Sequence, residues 1–375
     1  VEHAPLGVGV VGANPDRGWA RAVHHPVLEQ LRDFRVHAVA TTRAESAERS
    51  AALFGARRAY DDAVHLIDDP EVEIVVIAVK APEHHRLVIR AIERGKHVYC
   101  EWPLATTLDD ARDLESAAES AGVQVMVGLQ ARGAPALRVM RDMVREGDVG
   151  RLVSVRMDVA LSGGGGRRSA DGLYAISREN GAGAVDIHGG HAVDALQFCV
   201  GELVQVSGVV ATRFEQVEVI ETGELHAKSA PDQLVAAGTL RDGTPVSVNV
   251  SGGNVAEQGL ALQVRGEKGV LTVTSAGPHN FQMAALELFR TEPGGARSVV
   301  DVSSHDPGII PASVSGVTPY PGVTVPRATL VNVANLYADL GRAIRNGSRA
   351  RPDVADGRAL HELLHAIEQP PAEPS

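Results

Sequence analysis

Aromatic residues make up only 3% of this 375-residue chain, too few to line a stacking groove for single-stranded nucleic acid. Basic charge is also short. The formal net charge is -11, and since a phosphate backbone needs a basic surface, this disfavours nucleic acid and no direct nucleic-acid partner is expected. No apolar run approaches the roughly 18 residues that a membrane-spanning helix needs, so no membrane association is expected. The two cysteines, Cys100 and Cys199, lie far apart without metal-type spacing; both read as reduced packing residues, and no metal is expected. The N-terminus lacks the basic-then-apolar layout of a secretory signal, and the expected location is the cytoplasm. What is present is ordinary for a soluble globular protein, 44% hydrophobic and 22% charged, in a length that suits two domains.

The first third alternates apolar runs with helical patterns. Leu6 to Val11 is of strand length and is followed by Gly12-Ala-Asn-Pro-Asp-Arg-Gly18 and a helical pattern from Trp19 to Arg32. Strand, glycine turn and helix come in the order a pyrophosphate site needs, because backbone N–H groups at the helix start face the phosphates. A literal G-x-G-x-x-G occurs at Gly7, Gly9 and Gly12, but that register would leave the strand too short. Taking Gly12 as the first turn glycine puts Asn14 in the place of the second, which Asn tolerates because it visits left-handed backbone angles more readily than most residues. Strands then read over Val36–Ala40, Ile74–Val79, His97–Cys100 and Val123–Val127, with helices over Glu45–Phe54, Glu83–Arg94 and Asp109–Ala121. This is the pattern of a parallel, doubly wound α/β sheet, a Rossmann domain over residues 1–128. Its ligand lies beyond the C-terminal strand ends, where Gly12, Thr41, Lys80 and Glu101 should cluster.

The second strand ends in Thr41-Thr42-Arg43, where a protein holding NAD by its ribose hydroxyls usually offers a carboxylate. Two hydroxyls and a guanidinium suit a 2′-phosphate, so the cofactor reads as NAD(P), leaning to NADP. The alternative is that Arg43 is a solvated residue at a helix start.

Between Gly95 and Pro103 the chain reads Gly-Lys-His-Val-Tyr-Cys-Glu-Trp-Pro, a short strand running into a Glu-Trp-Pro turn. This segment resembles the glucose-fructose oxidoreductase, inositol dehydrogenase and MocA (Gfo/Idh/MocA) family, in which the turn is Glu-Lys-Pro and its lysine touches substrate and nicotinamide; here Trp102 replaces the lysine. The resemblance runs from Leu6 to about Glu368 and extends to Leu129-Gln-Ala-Arg132-Gly-Ala-Pro135, which looks like the segment joining cofactor and substrate halves. It also covers Gly181-Ala-Gly-Ala-Val-Asp-Ile-His-Gly-Gly-His-Ala-Val-Asp194, which is similar to the stretch carrying the family's Asp and His. His191 matches the family histidine and Asp194 the carboxylate three residues beyond it. The upstream carboxylate's place is held by Ile187, with Asp186 five residues before His191 and His188 three before. The likeness is closest to the galactose-repressor-like branch, which also has Glu-Trp at this turn and shares the Gly190–His191 step. The resemblance implies that Glu101, Trp102, Pro103 and Gln130 lie beside the cofactor, and Trp102, Arg132 and Asp194 beside the substrate.

Alcohol oxidation needs a base within reach of the hydroxyl whose carbon gives up the hydride, and a histidine held by a carboxylate meets that need. On a regular helix His188 and His191 share a face, whereas Asp186 and His191 diverge by roughly 140°. Either His188 stands in for the family aspartate, or an irregular helix start restores Asp186. Trp102 offers one N–H and no useful acidity, which leaves Lys80 as the nearby cation that could replace the family lysine.

From about Arg151 long alternating strands take over, over Leu152–Ala160, Val204–Phe214, Gln233–Leu240, Val246–Ser251, Leu260–Arg265, Val270–Thr274 and Leu286–Arg290. Asp242-Gly243 reads as a hairpin turn, and Glu267-Lys268-Gly269 as a second one. A C-terminal α+β domain over 129–368 is expected, with a large, mostly antiparallel open sheet and helices on one face. The family resemblance implies that the other face makes a homodimer or homotetramer. The glycine-rich run from Ser162 to Arg168 reads as a flexible linker or as a lid over the substrate, Ser303–Pro326 as a long surface loop, and 369–375 as a disordered tail. Two functions remain open. One is hydride transfer between nicotinamide and a secondary hydroxyl or ketone of a carbohydrate-like small molecule, a sugar, polyol or glycosylated metabolite; the other is NAD(P) or sugar sensing without turnover.

Overall fold

The computed structural model describes residues 4–256, 258–314, 316–320 and 323–369. Residues 370–375 of the expected disordered tail lie outside them. By its contacts the chain divides into two compact units, one running to Gly133 with Pro307–Arg358 added, the other comprising Ala134–Asp306 and the residues from Ala359. The sequence boundary at 128 assigns the 307–358 segment to the second domain instead.

The first unit is built on a six-stranded parallel sheet: β1 Leu6–Val11, β2 Phe34–Ala40, β3 Arg58–Tyr60, β4 Ile74–Ile77, β5 His97–Glu101 and β6 Val125–Gly128. The order β3-β2-β1-β4-β5-β6 reverses at β1, as in a doubly wound dinucleotide fold. β1 and β4 are buried over their whole lengths, which is why they read as continuous apolar runs. The helices between strands differ in length. After β1, a π turn over Ala20–His24 leads into α1, His25–Leu28, so the helix is shorter than the Trp19–Arg32 pattern suggests. Pro26 has no N–H to donate to Ala22, which removes one α-helical bond at this junction. α2 Ala44–Phe54 follows β2. The strand β3 and the helix α3, Ala63–Ile67, are too short for periodicity to reveal. α4 His84–Glu93 and α5 Leu108–Ala121 complete the wrap. At the start of α5 the Thr107 hydroxyl accepts the Asp110 N–H at 3.1 Å, Asp109 and Asp110 complement the helix dipole, and Gly122 at φ +66° ends the helix.

In the second unit α6 Pro135–Glu146 and α7 Gly190–Val200 accompany an eight-stranded sheet. Its strands are β7 Leu152–Ala160, β9 Leu203–Ala211, β12 Gln233–Leu240, β13 Pro245–Ser251, β14 Gly259–Gly266, β15 Gly269–Ala276, β16 Glu287–Thr291 and β17 Arg297–Val299. The order is β17-β16-β15-β14-β7-β13-β12-β9, antiparallel except where β7 and β13 run parallel. A small sheet of β8 Arg167–Arg168, β10 Gln216–Val219 and β11 Leu225–Ala227 sits apart from it. Both hairpins are present: Leu240 N–H bonds Thr244 O at 2.9 Å around Gly243 (φ +84°), and Gly266 pairs Gly269 around Glu267-Lys268. Strand alternation leaves one face apolar and buried and the other open, with Val209 68% and Val235 55% exposed over a groove of about 750 Å³.

The expected long loop over Ser303–Pro326 instead contains a short helical turn, Ser303–His305, and a hairpin of β18 Gly316–Tyr320 with β19 Val323–Pro326. Proline and glycine marked the breaks in this segment but hid the extended pieces between them. The chain then returns to the first unit as α8, Arg327–Asn346, whose Tyr337 stacks on Tyr99 of β5 with centroids 5.0 Å apart; α9, Val354–Glu368, closes the fold. Both cysteines are buried and unbridged. Among the described residues no helix is long and apolar enough to cross a membrane, and no group of three or more His, Cys, Asp or Glu side chains could hold a metal.

Candidate functional site

In the first unit β1 runs into Gly12 at φ +85°, and a Cβ there would stand 2.5 Å from the Ala78 carbonyl oxygen. Only glycine fits this approach. Gly7 and Gly9 lie inside β1, where a Cβ would meet Glu71 O at 2.1 Å and Leu66 Cδ2 at 2.6 Å; they serve packing, not phosphate binding. Asn14 closes the turn, its Oδ1 accepting the N–H groups of Asp16 at 2.9 Å and Arg17 at 3.2 Å. Beside Gly12 opens a cleft of about 510 Å³ lined by Thr41, Thr42, Asp61, Asp62 and Arg86 among others. Thr41 Oγ1 donates to Arg43 O at 2.9 Å and lies 2.7 Å from Ser46 Oγ, while the Arg43 side chain is exposed at the start of α2. Asp61 and Asp62, just beyond β3, thus line the cleft that lacks a carboxylate at the end of β2, and Asp62 Oδ1 also accepts the Val64 N–H at 2.8 Å. A Gly12→Ala substitution is expected to lower dinucleotide affinity roughly tenfold or more, since alanine at positive φ costs about 1–2 kcal/mol before the clash with Ala78 is counted. Titration of NAD(P)H fluorescence reads this; unchanged affinity would exclude Gly12 from the site.

The Glu-Trp-Pro turn is anchored from behind. Glu101 Oε1 accepts from His24 Nε2 at 3.0 Å and its Oε2 from Gln130 Nε2 at 2.6 Å, while His24 Nδ1 meets Tyr337 Oη at 2.8 Å. His24 and Tyr337 are fully buried, and Gln130 is 1% exposed. Burial, and after it the Glu101 charge, raises the Tyr337 phenol well above its usual range, so its hydroxyl stays protonated and can donate to His24. A Cβ at Gly128 would lie 2.7 Å from Glu101 Oε2, so glycine there is what lets the carboxylate reach Gln130. Trp102 is 6% exposed and joined to Pro103 by a cis peptide bond. Pro103 O is 2.7 Å from Nδ1 of buried His84, whose Nε2 lies 3.0 Å from Val79 O, so one imidazole links the turn to the end of β4. Lys80 is exposed at the start of the helical turn Ala81–Glu83. Arg132 pairs with Asp356 at 3.3 Å, with both side chains mostly buried.

In the second unit the helix carrying the histidines starts as a π turn, Val185–Gly189, and becomes regular at Gly190. The irregular start is thus present, but Asp186 uses Oδ2 to accept the Gly183 N–H at 3.1 Å, and burial raises its pKa. His191 is 5% exposed, and among the described residues no carboxylate hydrogen-bonds it; its Nδ1 is buried without a partner, as is that of His188. Burial, then the neighbouring His188, lowers the His191 pKa to about 3, and burial, then Arg168, lowers that of His188 to about 4. Both rings are neutral at physiological pH. Asp194, one helical turn beyond His191, is 1% exposed. A Cβ on Gly163 would lie 3.5 Å from His188 Nε2, so the glycine-rich run passes directly over that imidazole.

That run is neither a free linker nor a loose flap. Gly163 O accepts the Gly253 N–H at 2.8 Å and Gly164 O the Lys228 ammonium at 2.9 Å; a Cβ on Gly165 would come within 2.9 Å of Gly253 Cα. Lys228 also pairs with Asp232 at 2.5 Å, with side chains 2% and 0% exposed. Burial alone would raise the Asp232 carboxyl, but Lys228 and the N–H groups of Arg213 and Phe214 outweigh it and hold its pKa below the ordinary range. Two glycine stretches packed backbone to backbone form a fixed wall beside His188.

Residues 6–129 match the oxidoreductase family described as having an NAD-binding Rossmann fold, and residues 135–275 match the Gal80p C-terminal domain. The chain is 32% identical to the dehydrogenase aclE of Aspergillus oryzae, over 64% of this chain and 69% of that protein. The chain belongs to the Gfo/Idh/MocA oxidoreductase family. It is also 27% identical to the galactose/lactose metabolism regulatory protein GAL80 of Saccharomyces cerevisiae, over 72% of this chain and 66% of the relative. A super-repressor mutant of that protein superposes with a TM-score of 0.83 at 23% identity, covering 97% of this chain and 95% of the other. A levoglucosan dehydrogenase in complex with NADH and levoglucosan superposes with a TM-score of 0.78 at 22% identity, covering 97% and 96%. Within the Gfo/Idh/MocA family the chain therefore stands near the Gal80-like branch, among relatives that include both sugar dehydrogenases and regulators.

Sequence reasoning missed Asp61, Asp62, His24, Tyr337 and the Lys228–Asp232 pair. Asp61 and Asp62 follow a strand of three residues, below any periodicity threshold, and His24 and Tyr337 stand 313 positions apart. Lys228 and Asp232 have helical spacing but lie in an extended segment, so the spacing carried no signal.

Proposed function

We propose that this Gfo/Idh/MocA protein is an NAD(P)-dependent dehydrogenase or reductase that moves a hydride between nicotinamide and a secondary hydroxyl or ketone of a sugar, polyol or glycosylated metabolite. The observation carrying this reading is His191, a buried neutral imidazole with an unpartnered Nδ1, at the position that matches the family histidine. In the first unit, Gly12 and the 510 Å³ cleft fit a dinucleotide, with a backbone approach that a side chain would block. Bound NAD(P) would supply the hydride acceptor. Asn14 shapes the turn over the phosphates, Thr41, Thr42 and Arg43 take the adenosine end, and Glu101, Trp102, Pro103 and Gln130 form the rigid turn under the nicotinamide half.

His191 takes the proton from the substrate hydroxyl and His188 stands next to it; because the tryptophan N–H cannot relay a proton, Lys80 is the one remaining candidate at the turn. Asp186 keeps the helix start folded. Asp194 and Arg132 support the substrate region from inside their own packing. The open sheet face, with Val209 and Val235 exposed, is the surface for a homodimer or homotetramer.

The test is turnover. NAD and NADP are mixed with a panel of sugars and polyols and followed at the nicotinamide absorbance; reduction with at least one member supports the enzyme. Tight cofactor binding without turnover across the panel supports the second reading, a non-catalytic sensor resembling the galactose-responsive co-repressor, which Trp102 in place of lysine favours. NADP over NAD rests on Thr41, Thr42 and Arg43, against the two carboxylates of Asp61 and Asp62 in the same cleft. Arg43→Ala is expected to weaken NADP about 10- to 100-fold and NAD little, the range for one charge-assisted contact. Equal losses for both cofactors would remove the NADP preference.

A further inference from the structure

The two arginines of β8 point opposite ways, as neighbours on a strand must. Arg167 faces outward and pairs with Glu218 at 3.2 Å. Arg168 faces inward, its stem so close beneath Gly172 that a Cβ there would meet Arg168 Cγ at 2.8 Å and Cδ at 2.9 Å. Its one hydrogen bond is a marginal 3.5 Å contact to Gly172 O, and among the described residues no carboxylate pairs with it. Glu221, the nearby acid, is taken by the Ala170 N–H at 2.9 Å. Burial lowers the pKa of Arg168, yet a guanidinium keeps its proton, so the unit holds a partly buried cation with no carboxylate partner among the described residues. Such a group is costly unless something negative arrives to meet it. Arg168 stands two residues past Gly166 at the end of the glycine wall over His188, and Tyr174 lies close enough to feel its charge.

We propose that Arg168 receives a carboxylate of the substrate, so that the protein acts on an acidic sugar derivative such as a uronate or an aldonate. This rests on the oxidoreductase reading above and names its substrate class. A planar guanidinium matches a carboxylate through two parallel N–H···O bonds, and one cation beside two neutral imidazoles suits a monoanion better than a phosphate dianion. The same contact has a second effect. Burial is the main cause of the low basicity of His188 and the Arg168 charge adds to it; a bound carboxylate offsets that smaller, electrostatic part when substrate is present.

Binding of matched pairs is measured by calorimetry at constant ionic strength, with NAD(P)H present: glucuronate against glucose, galacturonate against galactose, and glucose 6-phosphate as the alternative anion. The wild type is expected to bind the uronate about 10- to 100-fold more tightly than its neutral partner. Arg168→Gln should erase that difference, and Arg168→Lys, which keeps the charge and guards against a folding defect in the first variant, should retain part of it. Equal or better binding of neutral sugars, a preference for the phosphate, no binding of any acid, or an uronate preference that survives Arg168→Gln would each overturn the proposal. Acid-selective binding without hydride transfer sinks the dehydrogenase and leaves Arg168 its ligand; turnover confined to neutral sugars does the reverse.

Discussion

Replacing His191 by alanine is expected to lower kcat about 10²- to 10⁴-fold for any alcohol the protein oxidises, while cofactor affinity stays within about twofold. The magnitude follows from the absence of another proposed group to share the proton transfer. Trp102 occupies the turn where the family carries a lysine, so no second acid or base is supplied from that position, and Asp186 is bonded to Gly183. On the proposed reading the proton of the reacting hydroxyl then goes to the neutral imidazole of His191 on α7. Cofactor affinity is spared because the residues proposed to hold the dinucleotide belong to the first unit and His191 to the second. Stopped-flow hydride transfer and NAD(P)H titration on the same variant separate the two quantities. A kcat within tenfold of the wild type would remove His191 as the base and move the role to Lys80, tested by Lys80→Met.

Mild acid is expected to unfold the second unit first. His188, His191 and His361 all belong to it, with pKa values lowered to about 4, about 3 and about 4, in each case chiefly by burial, from an ordinary 6.5. The sign follows from proton counting. Below pH 6.5 the unfolded chain protonates these rings and the folded chain does not, so stability falls with pH until the folded values are reached and then levels off. Between about pH 7 and pH 5 each ring contributes a loss of about 2 kcal/mol, about 6 kcal/mol for the three, at 1.36 kcal/mol per unit once the unfolded ring is fully protonated. Asp186, whose pKa is raised, works in the opposite direction and offsets part of the loss at lower pH. A deficit of this size is comparable to the total stability of an ordinary domain. Urea unfolding at about pH 7 and about pH 5, with His361→Gln as a control that removes one ring not assigned to the proposed chemistry, measures it. Equal midpoints at the two pH values would show that these rings are protonated or solvated in the native state.

Much of the fold was legible because the elements that build it announce themselves locally. The buried strands β1 and β4 are unbroken apolar runs, α5 carries its cap and its acidic first turn in sequence, and the two hairpins carry their own turn residues. The family turn at Glu101-Trp102-Pro103 and the His188–His191 spacing were readable for the same reason. What escaped was set by distance or by brevity. His24 finds Glu101 and Tyr337 only once the sheet has formed, β3 is too short to show alternation, and Arg167 and Arg168 look alike until the strand gives them opposite sides. The choice left open between His188 and Asp186 turned on a local detail that periodicity does not carry: the helix starts as a π turn, and Asp186 accepts the Gly183 N–H there.

The buried Lys228–Asp232 pair has a further consequence for how the protein should respond to its medium. Closed off from solvent, with 2% and 0% of the side chains exposed, the pair is beyond the reach of mobile ions, so adding salt should leave the shape of the glycine wall unchanged. A ligand arriving from bulk water at Arg168 has no such shelter. Ionic strength would then govern occupancy without touching architecture, giving a receptor whose contour is constant and whose grip is adjustable from outside.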